Sequence, residues 1–352
     1  MSLTVTKAGN SKIDQVDFSN LAFGNVFTDH MFVCDYKDGK WQNPSVEPYA
    51  PIMLDPSAKV FHYGQAVFEG MKAYKDDNGS VWLFRPEDNF NRINISGERL
   101  AMPAFPKGFF FEGLETLLNL DREWIKNGEG NSLYIRPFVI ATESGVSASP
   151  STEYKFMIIC SPAQSYYSGE VKVLIAEKYS RSADGGVGYA KAAGNYAGQF
   201  YPTNLAIKEG YQQVIWTDAN THEYLEEAGT MNVFVKIGDK LITAPTSERI
   251  LDGITRKSLI ELARSKGIEV EIRAVSVKEL IEAANNGSLT EMFGSGTAAV
   301  ISPIAGFAYQ GAQYDLPKVE NGTAQFLKKS LTDIQQNKAE DPFNWTHEVP
   351  KN

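Results

Sequence analysis

A polar segment near the middle of the chain, residues 161–169, indicates where the chain is divided. It reads Ser-Pro-Ala-Gln-Ser-Tyr-Tyr-Ser-Gly, a composition typical of a connection rather than of a core element. The chain has 352 residues, which is more than one hydrophobic core usually supports. The sequence therefore predicts two domains, residues 1–164 and 176–352, joined by a linker over residues 165–175.

Short strand-like runs separated by turn signals alternate with amphipathic helical stretches. Asp38-Gly39 and Asn78-Gly79 are typical hairpin turns, Pro86 suits the first residue of a helix, and Ser276 with Glu279 forms a capping box. The pattern predicts a mixed α/β (α+β) fold. The predicted strands cover residues 32–36, 40–41, 81–84, 132–140, 155–160, 171–176, 213–217, 231–237 and 240–243. The main predicted helices cover residues 86–102, 114–127 and 196–209, with two more ending near Gly267 and Gly287.

The composition argues against several classes of function. A formal net charge of −9 disfavours general nucleic-acid binding, which needs an excess of lysine and arginine. Cys34 and Cys160 form no disulfide framework, and the four histidines show no zinc-binding spacing, so we expect no metal site. No apolar run is long enough to cross a membrane. We therefore expect a cytoplasmic protein that holds anionic ligands only locally.

Lys191 lies in a glycine- and alanine-rich loop, residues 185–196, and is the leading candidate for a catalytic residue. Small neighbours let a flat aromatic cofactor approach the backbone, and Ala190, Ala192 and Ala193 bring no counter-charge to hold the ammonium proton. An uncharged lysine amine can form a Schiff base with an aldehyde. A lysine in a surface turn is the alternative interpretation, and the loop alone does not decide between the two.

If the aldehyde belongs to pyridoxal phosphate, the chain must also supply an acid for the ring nitrogen and a site for the phosphate. Glu226 and Glu227 are adjacent, and on an extended backbone only one of them can face a cleft. Residues 253–255 combine glycine with a helix start, residues 294–298 form a second glycine-rich loop, and Arg92 offers a bidentate contact. Each feature is also common in ordinary turns and on helix surfaces.

Seven motifs follow one another along most of the chain. They are Phe68-Glu-Gly-Met-Lys-Ala-Tyr74, Leu83-Phe-Arg-Pro86, Tyr134-Ile-Arg136-Pro137, residues 185–196, Glu227-Ala-Gly-Thr-Met-Asn-Val-Phe234, Leu251-Asp-Gly-Ile-Thr-Arg256 and Gly296-Thr-Ala298. Together they resemble the branched-chain-amino-acid aminotransferases, which belong to fold type IV of the pyridoxal-phosphate enzymes. The resemblance implies a small N-terminal α/β domain, a larger C-terminal domain with a pseudo-barrel sheet, and a cofactor at the domain interface.

The resemblance also implies a role for each matching residue. Lys191 matches the catalytic lysine that binds pyridoxal 5'-phosphate, Glu227 rather than Glu226 matches the partner of the pyridine nitrogen, and Tyr196 matches the partner of the phenolic oxygen. The other implied cofactor contacts are Arg92, Ile254, Thr255 and Thr297 around the phosphate, and Thr230, which also borders the substrate. The implied substrate pocket contains Tyr63, Phe68, Tyr134, Tyr166 and Ala298, with Arg136 beside it to receive a second carboxylate.

In this family Tyr63 and the loop that holds Val146 come from the partner subunit, so the resemblance implies a homodimer. The loop, residues 142–146, looks shorter than its counterpart in animal members, so the resemblance does not define this wall of the pocket. The implied reaction is a ping-pong transfer of the amino group between L-leucine, L-isoleucine or L-valine and 2-oxoglutarate.

Three alternatives have to be separated from this interpretation. A D-amino-acid aminotransferase and an aminodeoxychorismate lyase of the same fold share Lys191 and Glu227, whereas Tyr134 and Arg136 favour the L-branched-chain substrates. A non-catalytic protein that binds a small molecule in a degenerate cleft is the alternative from another class.

Overall fold

The computed structural model describes residues 2–164 and 171–351, which divide into two compact units. The first unit contains the described residues up to 164, a short segment at 190–193 and the C-terminal residues from 333 on. The second unit contains residues 171–189 and 194–332. No helix within these described ranges is both long and apolar enough to cross a membrane.

The predicted linker lies mostly outside the described residues, so the domain boundary stays a prediction. Its last five residues, Val171–Ile175, form a strand. Two segments that the sequence assigned to the second domain, residues 190–193 and the C-terminal tail, are grouped with the first unit instead. The reason is strand pairing, because Ala192 bridges to Val67 and Thr346–Glu348 pairs with Val81–Phe84. These additions enlarge the first unit at the expense of the second.

The first unit is built on one sheet of nine described strands. Its strands are β1 (Thr4–Val5), β2 (His30–Lys37), β3 (Lys40–Pro48), β4 (Ala66–Phe68), β5 (Met71–Lys75), β6 (Val81–Phe84), β7 (Ser132–Ala141), β8 (Tyr154–Ala163) and β18 (Thr346–Glu348), and its helices are α1 (Lys59–Tyr63), α2 (Pro86–Arg99) and α3 (Lys107–Leu120). The order in the sheet is β1-β3-β2-β8-β7-β5-β6-β18, and β4 also pairs with β7. Short 3₁₀ helices lie at Ile13–Gln15 and Arg122–Trp124.

The second unit contains a closed ring of strands. Its strands are β9 (Val171–Ile175), β10 (Gln213–Thr217), β11 (Leu225–Ala228), β12 (Met231–Ile237), β13 (Lys240–Thr243), β14 (Val270–Ile272), β15 (Leu289–Gly296), β16 (Val300–Tyr309) and β17 (Ala312–Asp315), and its helices are α4 (Ala193–Ala197), α5 (Phe200–Lys208), α6 (Ile254–Ser265), α7 (Val277–Asn285) and α8 (Thr323–Gln335). Strands β11, β10, β9, β16, β15 and β12 form the ring, because β12 pairs again with β11. The predicted mixed α/β fold with a pseudo-barrel sheet is confirmed.

Two predicted helices have different limits in the structure. The helix expected over 114–127 is α3, which begins at Lys107 and ends before Asp121. Gly113 is a poor helix former, but a Cβ atom there would lie 2.4 Å from the Phe32 ring, so the glycine allows α3 to pack closely on β2. The helix expected over 196–209 is divided into α4 and α5, since Pro202 cannot donate a helical hydrogen bond and fits only a first turn.

Candidate active site

Lys191 belongs to a short segment whose backbone is fixed to the first unit. Its N–H donates to Ser96 Oγ on α2 (2.9 Å), and its carbonyl oxygen accepts a hydrogen bond from Phe68 N at the end of β4 (3.1 Å). The Lys191 Nζ atom lies 4.7 Å from the centre of the Phe68 ring, within the range of a cation–π contact. Lys191 is therefore half-buried against an aromatic ring, which does not fit an ordinary surface turn.

Glu69, the residue after Phe68, is a fully buried carboxylate. It accepts hydrogen bonds from Arg92 Nε (2.7 Å), Arg92 Nη2 (2.9 Å) and Asn89 Nδ2 (2.7 Å). Burial by itself raises the pKa of Glu69, but Arg92 and, more weakly, the charge of Lys191 hold that pKa below its ordinary value. Ala190, Ala192 and Ala193 bring no counter-charge to Lys191, but Glu69, in the short segment between β4 and β5, supplies one.

Tyr134 and Arg136 share one face of β7, as their spacing predicts. Arg136 Nη2 donates to Tyr134 Oη (2.9 Å), and the guanidinium carbon lies 4.6 Å from the centre of the Phe68 ring. Arg136 Nε is buried and has no hydrogen-bond partner among the described residues. A buried donor without an acceptor is costly, so this arrangement fits an arginine that completes its hydrogen bonding with a ligand.

Glu227 on β11 is held by an ion pair and by hydrogen bonds within the second unit. Arg181 Nη1 forms the ion pair (2.7 Å), and Asn232 Nδ2 (3.0 Å) and Leu251 N (3.1 Å) donate hydrogen bonds to the carboxylate. The side chains of Glu227 and Arg181 are both almost completely buried. Asn232 lies directly against Gly253, where a Cβ atom would be 1.9 Å from Asn232 Oδ1. Glycine at this position therefore lets the segment before α6 close on β12, and that segment helps to hold Glu227.

Glu226 belongs to a separate network. It accepts a hydrogen bond from Arg249 Nε (2.5 Å), and burial raises the pKa of Glu226 although Arg249 opposes the shift. The two adjacent carboxylates thus have different partners, as the alternation of side chains along a strand predicts. Both are buried, so the alternative of a solvated pair of glutamates is not what the structure contains.

The start of α6 has the features of an anion site. The helix begins at Ile254 after Gly253, which has no side chain to cap the backbone N–H groups of the first turn. Ile254 and Thr255 are both buried. Two further polar atoms of the second unit, Arg256 Nε and Ser295 Oγ, are buried without a hydrogen-bond partner in the part of the chain that the structure describes.

The remaining predicted residues of the second unit lie at three places. Thr297 and Ala298 are in the turn between β15 and β16, whereas residues 294–296 of the predicted loop belong to the end of β15. Tyr196 is half-buried in α4, and Thr230 is exposed in the turn between β11 and β12. Tyr166, predicted for the substrate pocket, lies outside the described residues.

Tyr63 and Val146 contact each other at the surface of the first unit. The Tyr63 hydroxyl donates to the carbonyl oxygen of Val146, and the two residues are 45% and 65% exposed. Lys59, a buried lysine, fixes the loop that carries Val146. Its Nζ forms an ion pair with Glu143 (3.1 Å) and donates a hydrogen bond to Ser149 Oγ (3.0 Å). The exposed sides of Tyr63 and Val146 can therefore contact a neighbouring molecule without rearrangement of the loop.

The sequence interpretation missed Glu69 and Arg181, the residues that pair with Arg92 and Glu227. Glu69 had a detectable signal, because it is the only charge within the apolar run at 66–71. Arg181 lies ten residues before Lys191 in a polar segment, and nothing in its surroundings indicates that it is buried.

Comparison with known proteins identifies the family. The model of the class IV amino-transferases matches residues 66–307. The chain is 46% identical to the branched-chain-amino-acid transaminase 1 of Bacillus subtilis and 48% identical to a probable branched-chain-amino-acid aminotransferase of Staphylococcus aureus, each over 96% of both chains.

A solved structure has the same fold at lower identity. The PLP-form of the branched-chain amino acid aminotransferase from Thermobaculum terrenum superposes with a TM-score of 0.75 and 22% identity, over 91% of this chain and 98% of the other. The lysine segment, the paired glutamates and the open helix start thus occur in a chain that matches known enzymes along almost its whole length. This protein belongs to the class IV aminotransferases, in the branched-chain-amino-acid aminotransferase family.

Proposed function

We propose that this protein is a transaminase that moves the amino group between L-leucine, L-isoleucine or L-valine and 2-oxoglutarate, with pyridoxal 5'-phosphate as cofactor. The observation that carries the proposal is the position of Lys191, which is fixed by its backbone between Phe68 and Ser96 with its amine against an aromatic ring. When bound, the cofactor supplies an aldehyde and a ring that accepts electrons from the substrate Cα.

The residues suit this cofactor in chemical type. Lys191 supplies the primary amine, and Glu227, an anion buried beside Arg181, suits a protonated ring nitrogen. The uncapped start of α6 at Ile254 and Thr255 suits a phosphate, because helix N-termini stabilise negative charge. The family resemblance adds Arg92, Tyr196, Thr230 and Thr297 to this set.

Lys191 and Glu227 have distinct tasks in this proposal. We infer that Lys191 Nζ takes the proton from the substrate Cα, since an amine within reach of the reacting carbon can act as a general base. The Phe68 ring limits the access of water to Nζ. Glu227 would accept a hydrogen bond from the protonated ring nitrogen, while its ion pair with Arg181 fixes the direction of the carboxylate.

One pocket has to accept both an apolar side chain and a second carboxylate. Phe68 and Tyr134, with Tyr166 from the resemblance, supply aromatic walls, and burying a leucine, isoleucine or valine side chain contributes roughly 1.5–3 kcal/mol. Arg136 Nε, the buried donor without a partner among the described residues, suits the distal carboxylate of 2-oxoglutarate. The resemblance adds Ala298.

The proposal includes a homodimer whose active sites take Tyr63 and the loop of Val146 from the partner subunit. It is supported by the exposed apolar surface around these two residues. We also propose a cytoplasmic location, because both cysteines are free and buried, as is usual in a reducing compartment.

The experiment combines labelling with turnover. The purified protein is incubated with pyridoxal 5'-phosphate, reduced with borohydride and mapped by mass spectrometry, and the label is expected on Lys191. The protein is then assayed with L-leucine and 2-oxoglutarate, and with D-alanine in place of L-leucine. Turnover with D-alanine alone would contradict the proposed substrate, and the absence of any covalent label would indicate a non-catalytic binding protein.

Two variants complete this test. Lys191→Ala is expected to lose transamination and labelling while its circular dichroism spectrum stays that of the wild type. Lys208→Ala, which alters an exposed lysine of α5, is the matched control and is expected to keep both. Normal turnover by Lys191→Ala would refute the assignment of the catalytic lysine.

A further inference from the structure

Glu69 is a fully buried carboxylate to which the proposed reaction gives no role. Its Oε1 accepts from Arg92 Nε, and its Oε2 accepts from Arg92 Nη2, from Asn89 Nδ2 and from the backbone N–H of Gly70 (3.1 Å). Arg92 is itself 8% exposed. The pair is therefore bidentate and shielded from water. The two hydrogen bonds fix its geometry, and the low dielectric constant of the interior strengthens the attraction between the two charges.

Stability alone does not explain why the chain keeps this ion pair. Removing two charges from water is costly, and an apolar pair of similar volume is often as stable or more so. What an ion pair with two parallel hydrogen bonds adds is direction, because the two bonds fix the plane of the guanidinium group. A buried pair of this kind is expected where the orientation of the arginine matters.

The surroundings of Glu69 connect the pair to Lys191. Asn89, Arg92 and Ser96 are spaced three and four residues apart, so they share one face of α2. The first two bind Glu69, and Ser96 Oγ accepts the hydrogen bond from Lys191 N. One face of α2 therefore carries Arg92, which is held by Glu69, and also Ser96, which fixes the backbone of the proposed catalytic lysine.

We propose that Glu69 is a positioning residue that orients Arg92 for the phosphate group of the cofactor. The inference rests on the proposed function, in which Arg92 contacts that phosphate. Glu69 holds the Nε and Nη2 edge of Arg92, so the guanidinium plane is set before the ligand arrives and binding does not have to order it. Glu69 acts through Arg92 and contacts neither substrate nor cofactor.

The test compares two aldehydes that differ only in the phosphate. The dissociation constants of pyridoxal and of pyridoxal 5'-phosphate are measured on the apoprotein. The value for pyridoxal divided by the value for pyridoxal 5'-phosphate is a ratio that reports the phosphate contribution alone. Glu69→Gln keeps the shape but removes the charge and sets the amide nitrogen, itself a donor, against at least one of the four donors around Glu69. Glu69→Asp keeps the charge but cannot reach both arginine nitrogens. Both are expected to lower the ratio by about tenfold or more, as loss of a charge-assisted contact does.

A double-mutant cycle and a control separate orientation from general damage. In the Arg92→Ala background, Glu69→Gln is expected to change the ratio no further, because the two residues act through one contact. Asp121→Asn is the matched control: it alters another buried carboxylate of the first unit, bonded to His30, and should lower stability without changing the ratio.

Each outcome decides the inference. An unchanged ratio in both Glu69 variants overturns it, and so does tighter binding of pyridoxal 5'-phosphate by Glu69→Gln, which would show that Glu69 acts only by neutralising Arg92. If Glu69→Gln fails to fold, Glu69→Asp carries the test. If wild-type apoprotein binds neither aldehyde, the proposed function fails and this inference fails with it, whereas wild-type binding with an unchanged ratio defeats the role of Glu69 alone.

Discussion

Arg136 is the residue at which selection between the two kinds of substrate can be tested. Its Nε is a buried donor without a protein partner in the described parts of the chain. A hydrogen bond to a charged group contributes about 1.5–3 kcal/mol, so Arg136→Met is expected to raise KM for 2-oxoglutarate by about tenfold or more. KM for the oxo acid of leucine, which has no second carboxylate, should change by about twofold or less.

Steady-state kinetics with each oxo acid at saturating L-isoleucine measures the two KM values for wild type and Arg136→Met. Arg136→Lys is the control, since it keeps the charge but has no Nε donor, and its effect on 2-oxoglutarate should be intermediate. Equal increases of KM for both oxo acids would show that Arg136 only supports the pocket wall.

Residue types were easier to predict than residue partners. The alternation of side chains on a strand predicted that Glu226 and Glu227 face opposite sides, and the structure gives them different arginines. Neither Arg181 nor Glu69 could be assigned in this way, because their partners lie 46 and 23 residues away along the chain. Such pairs depend on tertiary packing, which local patterns do not contain.

The turn between β10 and β11 is an element whose stability should depend on pH. Asp218 accepts hydrogen bonds from the backbone N–H groups of Thr221 (2.8 Å), Glu223 (2.9 Å) and Tyr224 (2.9 Å). Burial by itself raises the pKa of Asp218, but these bonds lower the pKa to about 2 from its ordinary 3.8. The carboxylate therefore stabilises the fold above pH 3.8, and this contribution is lost as the pH falls towards 2.

Asp218→Asn is expected to lower the free energy of unfolding at pH 7 by about 2 kcal/mol, the energy that corresponds to this shift. The difference from wild type should shrink below about pH 4, because protonation then removes the same charge from the wild-type protein. Urea unfolding of the apoprotein at several pH values measures this difference in the free energy of unfolding. Asp239→Asn, in the exposed hairpin turn after β12, is the control and should have little effect at any pH. A difference that does not depend on pH would contradict the role of the charge.

Elements with local signals were predicted well, and those defined by distant contacts were not. The serine cap of the predicted capping box is present at the start of α7, with Ser276 Oγ accepting from Glu279 N (3.0 Å), while the Glu279 carboxylate accepts from Arg273 instead. The hairpin of β12 with β13 is found where its turn indicates. The start of α3 was wrong, because its packing on Phe32 outweighs the low helix propensity of glycine. The return of β18 to β6 has no local signal, since its pairing partner lies more than 260 residues earlier.

The surface of the first unit carries apolar side chains that a single subunit leaves in water. Met53 is 99% exposed and Phe61 is 61% exposed, and the exposed Tyr63 and Val146 contact each other. Large exposed apolar residues concentrated in one region are typical of an interface. A second copy of the chain is the partner that the family resemblance implies, and it would place Tyr63 beside a substrate bound to the other subunit.

Active-site complementation tests this arrangement in the whole molecule. Lys191→Ala and Tyr63→Ala are each expected to have little activity as homodimers. In a mixed dimer, one site combines the intact Lys191 of one subunit with the intact Tyr63 of the other, so mixing under conditions of subunit exchange should restore activity. Lys191→Ala mixed with Phe326→Ala, an exposed aromatic residue of α8, controls for effects of exchange itself, since Phe326→Ala should be fully active alone. If Tyr63 acted within its own subunit, no mixed dimer would contain a complete site and activity would not return.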